Sequence, residues 1–246
     1  TMEQWNSFLE TVGENLTFLA VVFLIAAGLI GLAYGLERMI AHKSGVAYQK
    51  LSVRKMAVIG MMAAIAMILM WFEFPLPFLA PPFYELDFSE VPVMICGFLY
   101  GPVAGVLVEL VKIILKVLIK GTSTASVGDF ANFAVGCSLV IPAAAWYQGK
   151  KNKKNAVIAM VLGTAVMTVF GTLFNGVYLL PKFAQLYGMP LDQLIAMGTA
   201  INGGIHNIVT FVIIAVAPIN LVKGAAVTVI VTMIYKPVSR AMHRIP

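Results

Sequence analysis

The chain has 246 residues, of which 60% are hydrophobic and only 11% are charged. A soluble domain carries roughly 25% charged residues, so this composition excludes an ordinary soluble protein and indicates an integral membrane protein. The net charge of +6 does not indicate nucleic-acid binding, because the basic residues follow the segments between apolar runs. Cys96 and Cys137 lie in apolar runs and are expected to be buried thiols, with no disulfide framework, metal site or cofactor. Thr1 and Met2 are expected to be added residues that precede the native start.

Apolar runs of about 17–25 residues predict membrane-spanning helices. They place helices at about 17–36, 53–72, 103–119, 129–147, 156–180 and 208–235, with a shorter helix at about 91–100. We therefore expect an all-α membrane protein of seven helices. Residues 1–50 are predicted to form an extra N-terminal transmembrane helix with a basic linker from about 37 to 52, and residues 51–246 the substrate-binding membrane domain.

Basic residues predict the orientation in the membrane, because Lys and Arg are enriched in cytoplasmic segments. Three basic segments lie on one side in a single topology, whereas the acidic N-terminal residues and the acidic loop near residue 87 lie on the other. The segments contain Arg38, Lys43, Lys50, Arg54 and Lys55; Lys150, Lys151, Lys153 and Lys154; and Lys236, Arg240 and Arg244. We expect a protein of the plasma membrane with its N-terminus outside and its C-terminus in the cytoplasm.

Polar residues near one end of the predicted helices indicate a binding site. A polar group in hydrocarbon is costly and usually faces a cavity, a partner or water. The residues that map to the outer end are Asp129, Asn132, Asn175, Asn220, Lys223 and the loop around Asp87. We expect them to surround a pocket that opens on the outer side of the membrane.

The segment 72–92 is rich in proline and aromatic residues. Proline prevents helix formation and stiffens the backbone. Two interpretations are open: an interfacial hairpin with an aromatic belt, or a lid that closes over a flat, apolar ligand.

Several polar residues have both a structural and a functional interpretation. Asn220 and Lys223 are three residues apart on one predicted helix face, and we favour a ligand hydrogen bond for Lys223 over an ion pair with a carboxylate. Asn175 either binds ligand or bonds to another helix. Asp129 either binds ligand or caps a helix. The segment 120–128, which contains Thr122, is a turn or lines a polar arm of the ligand.

Two further predicted helices each carry a distinctive face, one polar and one made of small residues. Glu109, Lys112, Lys116 and Lys120 form a polar stripe, in which Glu109 and Lys112 are spaced to pair. The small residues Ala57, Gly60 and Ala64 share a face of the second helix, which either packs internally or docks another membrane subunit.

No signature of an enzyme is present, since the chain has no phosphate-binding loop, no H-E-x-x-H motif and no nucleophile elbow. Pro218 is expected to kink the last helix.

Three segments together resemble the riboflavin-specific S components of energy-coupling factor (ECF) transporters. They are FPLPFLAPPFYELDFSEVP, IKGTSTASVGDFANF and PINLVKG, and the resemblance covers about residues 53–240. It implies a six-helix subunit that captures riboflavin outside the cell and works with a transmembrane T subunit and two ATPases. The extra N-terminal helix departs from that six-helix pattern.

The resemblance also implies roles for individual residues. Asn175, Asn220 and Lys223 would hold the flavin ring, and Leu86 and Phe88 would lie over it. The face formed by Ala57, Gly60 and Ala64 would contact the T subunit. The candidate ligand-binding residues are thus Asn175, Asn220, Lys223, Leu86, Phe88, Asn132, Asp129 and Thr122.

Two other functions remain open, an S component for another vitamin and a stand-alone secondary carrier. An intramembrane coupling acid or an inverted repeat would favour the carrier. The sequence shows no clear repeat, and Glu109 is its only deeply placed acid.

Overall fold

The computed structural model describes residues 2–44, 51–122 and 126–244. Within these ranges the chain is a helical bundle with one short hairpin. The helices are α1 (Met2–Ser44), α2 (Val53–Trp71), α3 (Glu90–Tyr100), α4 (Pro102–Lys120), α5 (Val127–Gly149), α6 (Lys153–Phe174), α7 (Leu180–Leu186), α8 (Leu191–Ile201), α9 (Ile208–Phe211) and α10 (Ala217–Arg244). Strands β1 (Phe74–Pro75) and β2 (Glu85–Leu86) pair antiparallel. The prediction of an all-α membrane protein is confirmed.

In the described part of the chain, five segments are long and apolar enough to span a membrane. They are Ala20–Lys43, Val53–Trp71, Val127–Gly149, Lys153–Leu186 and Ile208–Pro237. Helix α4 has 19 residues, a sufficient length, but it carries the predicted polar stripe. Helix α3 has 11 residues and extends for only about 16 Å, so it cannot cross a hydrocarbon core of about 30 Å.

Helix α1 is longer than the sequence predicted. It runs from Met2 to Ser44, whereas a helix at about 17–36 and a linker from about 37 were expected. Residues 37–44 contain neither glycine nor proline, so nothing ends the helix there. The rest of the expected linker, residues 45–50, lies outside the described residues. Helix α1 packs against α4 and α5, with Ala33 fully buried.

The fifth and the last predicted helices are each interrupted by a π-helical turn, Asn175–Leu179 and Val212–Val216. The second turn ends two residues before Pro218, which has no backbone N–H and whose ring crowds the preceding turn. The wider π turn accommodates this, and the Ala217 N–H bonds to the carbonyl of Val212. The stretch 181–207, which sequence analysis left unassigned, contains most of α7 and all of α8.

The bundle has one large core and smaller clusters beneath the hairpin. Helices α2 to α6 and α10 form the large core, which contains the fully buried side chains of Met94, Phe98, Leu139 and Met160. Residues 72–89, between α2 and α3, contain the paired strands β1 and β2, and we call them the hairpin segment. Ala80 and Leu86 of this segment pack with Leu180 and Phe211. These contacts fix the hairpin segment against one end of the bundle.

The small-residue face of α2 points away from the bundle. Ala57, Gly60 and Ala64 are exposed, and no atom lies within 4 Å of the position that a Cβ on Gly60 would take. Ala63 and Ala66, on the opposite side of the helix, are fully buried. Internal packing of Ala57, Gly60 and Ala64 is therefore wrong, and the docking interpretation stays a prediction.

Candidate ligand-binding cavity

A cavity of about 150 Å³ lies between the hairpin segment and the helices. We call it the hairpin cavity. Its lining combines apolar and polar side chains from the hairpin segment, α5, the two π-helical turns, α7 and α10. The lining residues are Phe83, Tyr84, Glu85, Leu86, Gly128, Ala131, Asn132, Val135, Asn175, Leu179, Phe183, Val216, Ile219, Asn220 and Lys223. The structure thus brings together five candidate residues, namely Leu86, Asn132, Asn175, Asn220 and Lys223.

Aromatic residues of the hairpin segment cover the cavity. The ring of Phe83 lies 5.9 Å from that of Phe183, and the ring of Tyr84 lies 6.3 Å from that of Phe211. Leu86 is 3% exposed. Because β1 and β2 pair, the segment is a hairpin, and its residues lie over the cavity. Its closure over a ligand stays a prediction.

Asn175 is held from two sides. The hydroxyl of Tyr84 donates to Asn175 Oδ1 at 2.7 Å, and Asn175 Nδ2 donates to the carbonyl of Gly171 at 2.7 Å. Burial raises the pKa of Tyr84, with a smaller contribution from Tyr187, so its hydroxyl stays a neutral donor. The amide of Asn175 faces the cavity with its oxygen already engaged by the hairpin.

Asn220 provides an unused hydrogen-bond donor at the cavity wall. Its side chain is buried, and Nδ2 has no hydrogen-bond partner among the described residues. Leaving a buried donor unpaired costs about 1–3 kcal/mol. The glycine at position 171 makes room for this amide, since a Cβ there would lie 2.7 Å from Nδ2. The cavity therefore offers a donor suited to an acceptor on a ligand.

Lys223 lies at the cavity and is also paired with carboxylates. Its Nζ lies 3.1 Å from Asp87 Oδ2 and 3.0 Å from Glu90 Oε1. Both the ion-pair interpretation and the placement of Lys223 at the cavity are therefore correct. It connects the hairpin segment and α3 to α10, and whether it also bonds to ligand stays a prediction.

A second lysine extends this buried network. Lys112 Nζ lies 2.7 Å from Glu109 Oε2, which confirms the predicted pair, and 3.7 Å from Glu90 Oε1. It also donates to Asn132 Oδ1 at 3.1 Å, which links the network to the cavity wall. We call Asp87, Glu90, Glu109, Lys112 and Lys223 the charge cluster. Two further acids, Asp87 in the hairpin and Glu90 at the start of α3, are buried in the protein beside Glu109.

Asp87, which is the member of the charge cluster in the hairpin segment, stays ionised. Burial alone would raise the pKa of Asp87, but the ammonium groups of Lys223 and Lys112 and hydrogen bonds from Ser89 outweigh it. They hold the pKa of Asp87 well below its usual value. The ion pair that attaches the hairpin segment to α10 is therefore retained from neutral to mildly acidic pH.

Asp129 has a structural partner and does not cap its helix. Helix α5 begins at Val127 and its N-cap residue is Ser126, so the capping interpretation is wrong. The carboxylate of Asp129 is buried and forms an ion pair with Lys116. Asp129 does not line the hairpin cavity, although Gly128 and Asn132 beside it do.

Two other candidates also lie away from the cavity lining. Thr122 is exposed, and its hydroxyl accepts a hydrogen bond from the Ser126 N–H at 2.8 Å. Phe88 is half-buried, with its ring 6.1 Å from that of Phe74. Neither residue is among those that line the hairpin cavity in the described part of the chain.

Sequence analysis did not single out several residues that line the cavity. Tyr84 and Phe83 were seen only as aromatic residues of the hairpin segment, and Phe183 lies in the stretch left unassigned. The concentration of aromatic residues in a proline-rich segment was the available signal. It indicated a cover but not which ring enters the cavity.

The fold and the cavity define a class of protein. Long apolar helices surround polar groups at one end, and a stiff hairpin covers them, as expected of a multi-pass membrane protein with a small-molecule site. The family model described as "ECF transporter, substrate-specific component" matches residues 54–235. The chain belongs to this family.

Individual relatives agree with this assignment. The chain is 33% identical over 186 residues to the riboflavin transporter FmnP of Bacillus subtilis, with 75% of this chain and 92% of the relative covered. It is 34% identical over 192 residues to the riboflavin transporter RibU of Staphylococcus aureus, with 78% and 94% covered. These relatives are named transporters, which confirms the prediction that the chain is not an enzyme.

A solved structure is similar as well. It is titled "Structure and mechanism of the S component of a bacterial ECF transporter", and it matches with a TM-score of 0.60 and 34% identity. The match covers 77% of this chain and 98% of the solved chain. The resemblance to S components in the sequence analysis is thereby confirmed, and the family match begins after α1.

Proposed function

We propose that this protein binds riboflavin tightly, one molecule per chain, in the hairpin cavity and serves as the substrate-binding subunit of an ECF importer. The observation that carries the proposal is the grouping of Asn175, Asn220 and Lys223 around one cavity beneath aromatic residues. Sequence relatives named riboflavin transporters support the choice of substrate.

The chemistry of the cavity suits a flavin. One edge of the flavin ring alternates carbonyl oxygens and nitrogen atoms, and an Asn side chain offers both a donor and an acceptor. The unpartnered Nδ2 of Asn220 matches a flavin carbonyl, and the carboxamide of Asn175 matches a donor and an acceptor side by side. Phe83, Leu86 and Phe183 supply the flat apolar walls that the ring system requires.

The size of the cavity supports a moving cover. Pockets for drug-sized ligands measure about 300–1,000 Å³, whereas the hairpin cavity measures about 150 Å³. A flavin therefore enters only if the hairpin segment, and Tyr84 in particular, moves outward.

We further propose that the cavity opens outside the cell and that the C-terminus lies in the cytoplasm. The basic segments lie at the opposite end of the bundle, in keeping with the enrichment of Lys and Arg in cytoplasmic loops. A T subunit and two ATPases would supply the energy for release, since the chain contains no phosphate-binding loop. Residues 51–246 would form the transport domain.

The test is titration of purified protein with riboflavin while flavin fluorescence is followed. We expect quenching that saturates at one riboflavin per chain at micromolar concentration or below. Asn220→Ala should weaken binding, and Lys154→Gln, at a basic residue remote from the cavity, should leave it unchanged. Absence of quenching by riboflavin, together with binding of another vitamin, would assign the protein to a different substrate.

A reconstitution experiment separates a coupled subunit from a carrier. In vesicles, the isolated chain should bind riboflavin without accumulating it, and accumulation should require the T subunit, both ATPases and ATP. ATP-independent accumulation by the chain alone would contradict the proposed subunit role and favour a secondary carrier.

A further inference from the structure

A second and larger cavity lies at the opposite end of the bundle. We call it the basic cavity. It measures about 1280 Å³ and lies between the ends of α3, α5 and α10 and the beginning of α6. The lining residues are Phe98, Leu99, Tyr147, Lys151, Asn152, Lys153, Ala156, Val231, Thr232, Met233, Tyr235, Lys236, Pro237 and Arg240. None of them has a role in the proposed binding of riboflavin.

All the charged side chains that line the basic cavity are positive. Four cationic side chains line it, from Lys151, Lys153, Lys236 and Arg240, and no Asp or Glu is among the lining residues. Within the described ranges, none of these four forms an ion pair with a carboxylate, in contrast to Lys55, Lys112, Lys116, Lys120 and Lys223. Four unpaired cations around one cavity favour an anionic occupant.

The beginning of α6 adds to this preference. Asn152 is its N-cap and accepts a hydrogen bond from the Asn155 N–H at 2.8 Å. The helix has 22 residues, and its first residues line the cavity. The N-terminal end of a helix carries partial positive charge and favours anions such as phosphate.

Much of the remaining lining is apolar or aromatic and extends to the lateral surface of the bundle. The rings of Phe98 and Tyr147 stack with centroids 4.3 Å apart, and the ring of Tyr235 meets both edge-on. The hydroxyl groups of Tyr147 and Tyr235 bond to each other at 3.2 Å. Met233 is 71% exposed, so the apolar wall continues onto the surface of α10 that faces the membrane.

We propose that the basic cavity binds an anionic membrane lipid, with its phosphate among the four cations and an acyl chain along α10. A soluble phosphate compound would use the cations but not the apolar surface around Met233. A lipid uses both, and basic pockets between spanning helices at the membrane interface bind anionic headgroups. The lipid ties the turn between α5 and α6 to the end of α10.

The test measures lipid retention by native mass spectrometry on the full chain in detergent, with added phosphatidylglycerol or phosphatidylcholine. The variant is the double substitution Lys153→Gln and Arg240→Gln. The matched control is Lys150→Gln with Lys154→Gln, which removes the same charge from the same end outside the cavity lining. Size-exclusion profiles establish that all three proteins are folded.

We expect wild type and control to retain phosphatidylglycerol in preference to phosphatidylcholine. The double variant should bind phosphatidylglycerol about 30-fold more weakly, because Lys153 and Arg240 are the residues expected to contact the lipid phosphate and each such contact contributes about a factor of five. Equal loss in variant and control would overturn the proposal, because it would show general surface attraction. Should the double variant fail to fold, Lys153→Gln alone against Lys154→Gln decides the question by the same comparison.

Soluble glycerol phosphate distinguishes the two sources of phosphate. We expect it to displace phosphatidylglycerol only at concentrations far above that of the lipid, because it lacks the acyl chains that contact α10. Displacement at equal concentration would overturn the assignment to a lipid and indicate a soluble phosphate compound.

Discussion

The hydrogen bond between Tyr84 and Asn175 places the hairpin in direct competition with the ligand. The hydroxyl of Tyr84 donates a hydrogen bond to Asn175 Oδ1. We propose that this oxygen accepts a hydrogen bond from a donor on the flavin. We expect riboflavin to displace the bond from Tyr84 when it enters. Replacing Tyr84 by Phe removes the hydroxyl and keeps the ring, which lies 4.8 Å from that of Phe83.

The size of the effect follows from the bond that is lost. A net contribution of about 0.5–1.5 kcal/mol is typical of a neutral hydrogen bond within a protein. We therefore expect Tyr84→Phe to bind riboflavin about 2- to 10-fold more tightly than wild type, because the ligand no longer displaces the hydroxyl. The free energy of unfolding of the ligand-free protein should fall by a comparable amount.

Equilibrium titration by flavin fluorescence measures the affinity of both proteins. Tyr187→Phe is a matched control, since its ring belongs to the same aromatic group but its hydroxyl has no hydrogen bond among the described contacts; its affinity should equal that of wild type. Weaker binding by Tyr84→Phe would refute the reasoning and show that the hydroxyl bonds to riboflavin in the complex. Unchanged affinity would show that Asn175 keeps its bond to Tyr84 when ligand is present.

Three further predictions test the remaining parts of the structure. Asn220→Ala should weaken riboflavin binding about 5- to 150-fold and Asp129→Ala much less, as measured by calorimetric titration; equal losses would contradict the assignment of Asn220. Lys112→Met leaves three buried carboxylates with one ammonium group and should cost about 3–5 kcal/mol, whereas Glu109→Gln balances the charges and should cost less in chemical denaturation. Deletion of residues 1–45 should lower the melting temperature but preserve riboflavin binding, and a folded truncated protein without binding would place α1 in the site.

Most of the helical fold was predictable because hydropathy and length are local properties of the sequence. The positions of α2, α4 and α5 agree with the predicted helices within a few residues. The grouping of Asn175, Asn220 and Lys223 was also predictable, because each lies near the same end of an apolar run. The distance of a residue from the end of its apolar run determines its depth in the membrane. Residues of different helices at the same depth can therefore come together when the helices pack.

The details that depend on packing between distant segments were not predictable. The bond from Tyr84 to Asn175 joins residues 91 positions apart, and the pair of Lys223 with Asp87 joins residues 136 positions apart. Hydropathy says nothing about which side chain meets which across such separations. It also missed the full length of α1, since a polar helix end has no apolar run to mark it.

Helix α1 was expected to be separate from the substrate-binding domain, but Glu37 attaches it to α2 and α4. Glu37 accepts from Lys55 Nζ at 3.4 Å and from the Val103 N–H at 3.2 Å. The second contact satisfies a free N–H in the first turn of α4. This explains the expected loss of stability on deletion of α1, at a point far from the hairpin cavity.

The exposed face of α2 provides a way to separate binding of riboflavin from its uptake. Ala57, Gly60 and Ala64 form a shallow groove on the outside of the bundle, with open space beyond Gly60. Lipid gives little hydrophobic drive for association of spanning helices, so close van der Waals contact along small residues is what would hold a T subunit there. Ala64→Leu fills the groove and should block assembly and ATP-dependent uptake, while riboflavin binding to the isolated chain persists because the cavity is lined by other helices. Ile65→Leu, at an exposed neighbour on the same helix, adds no bulk and should behave as wild type. Unchanged assembly and uptake with Ala64→Leu would show that this face meets lipid and that the T subunit docks elsewhere.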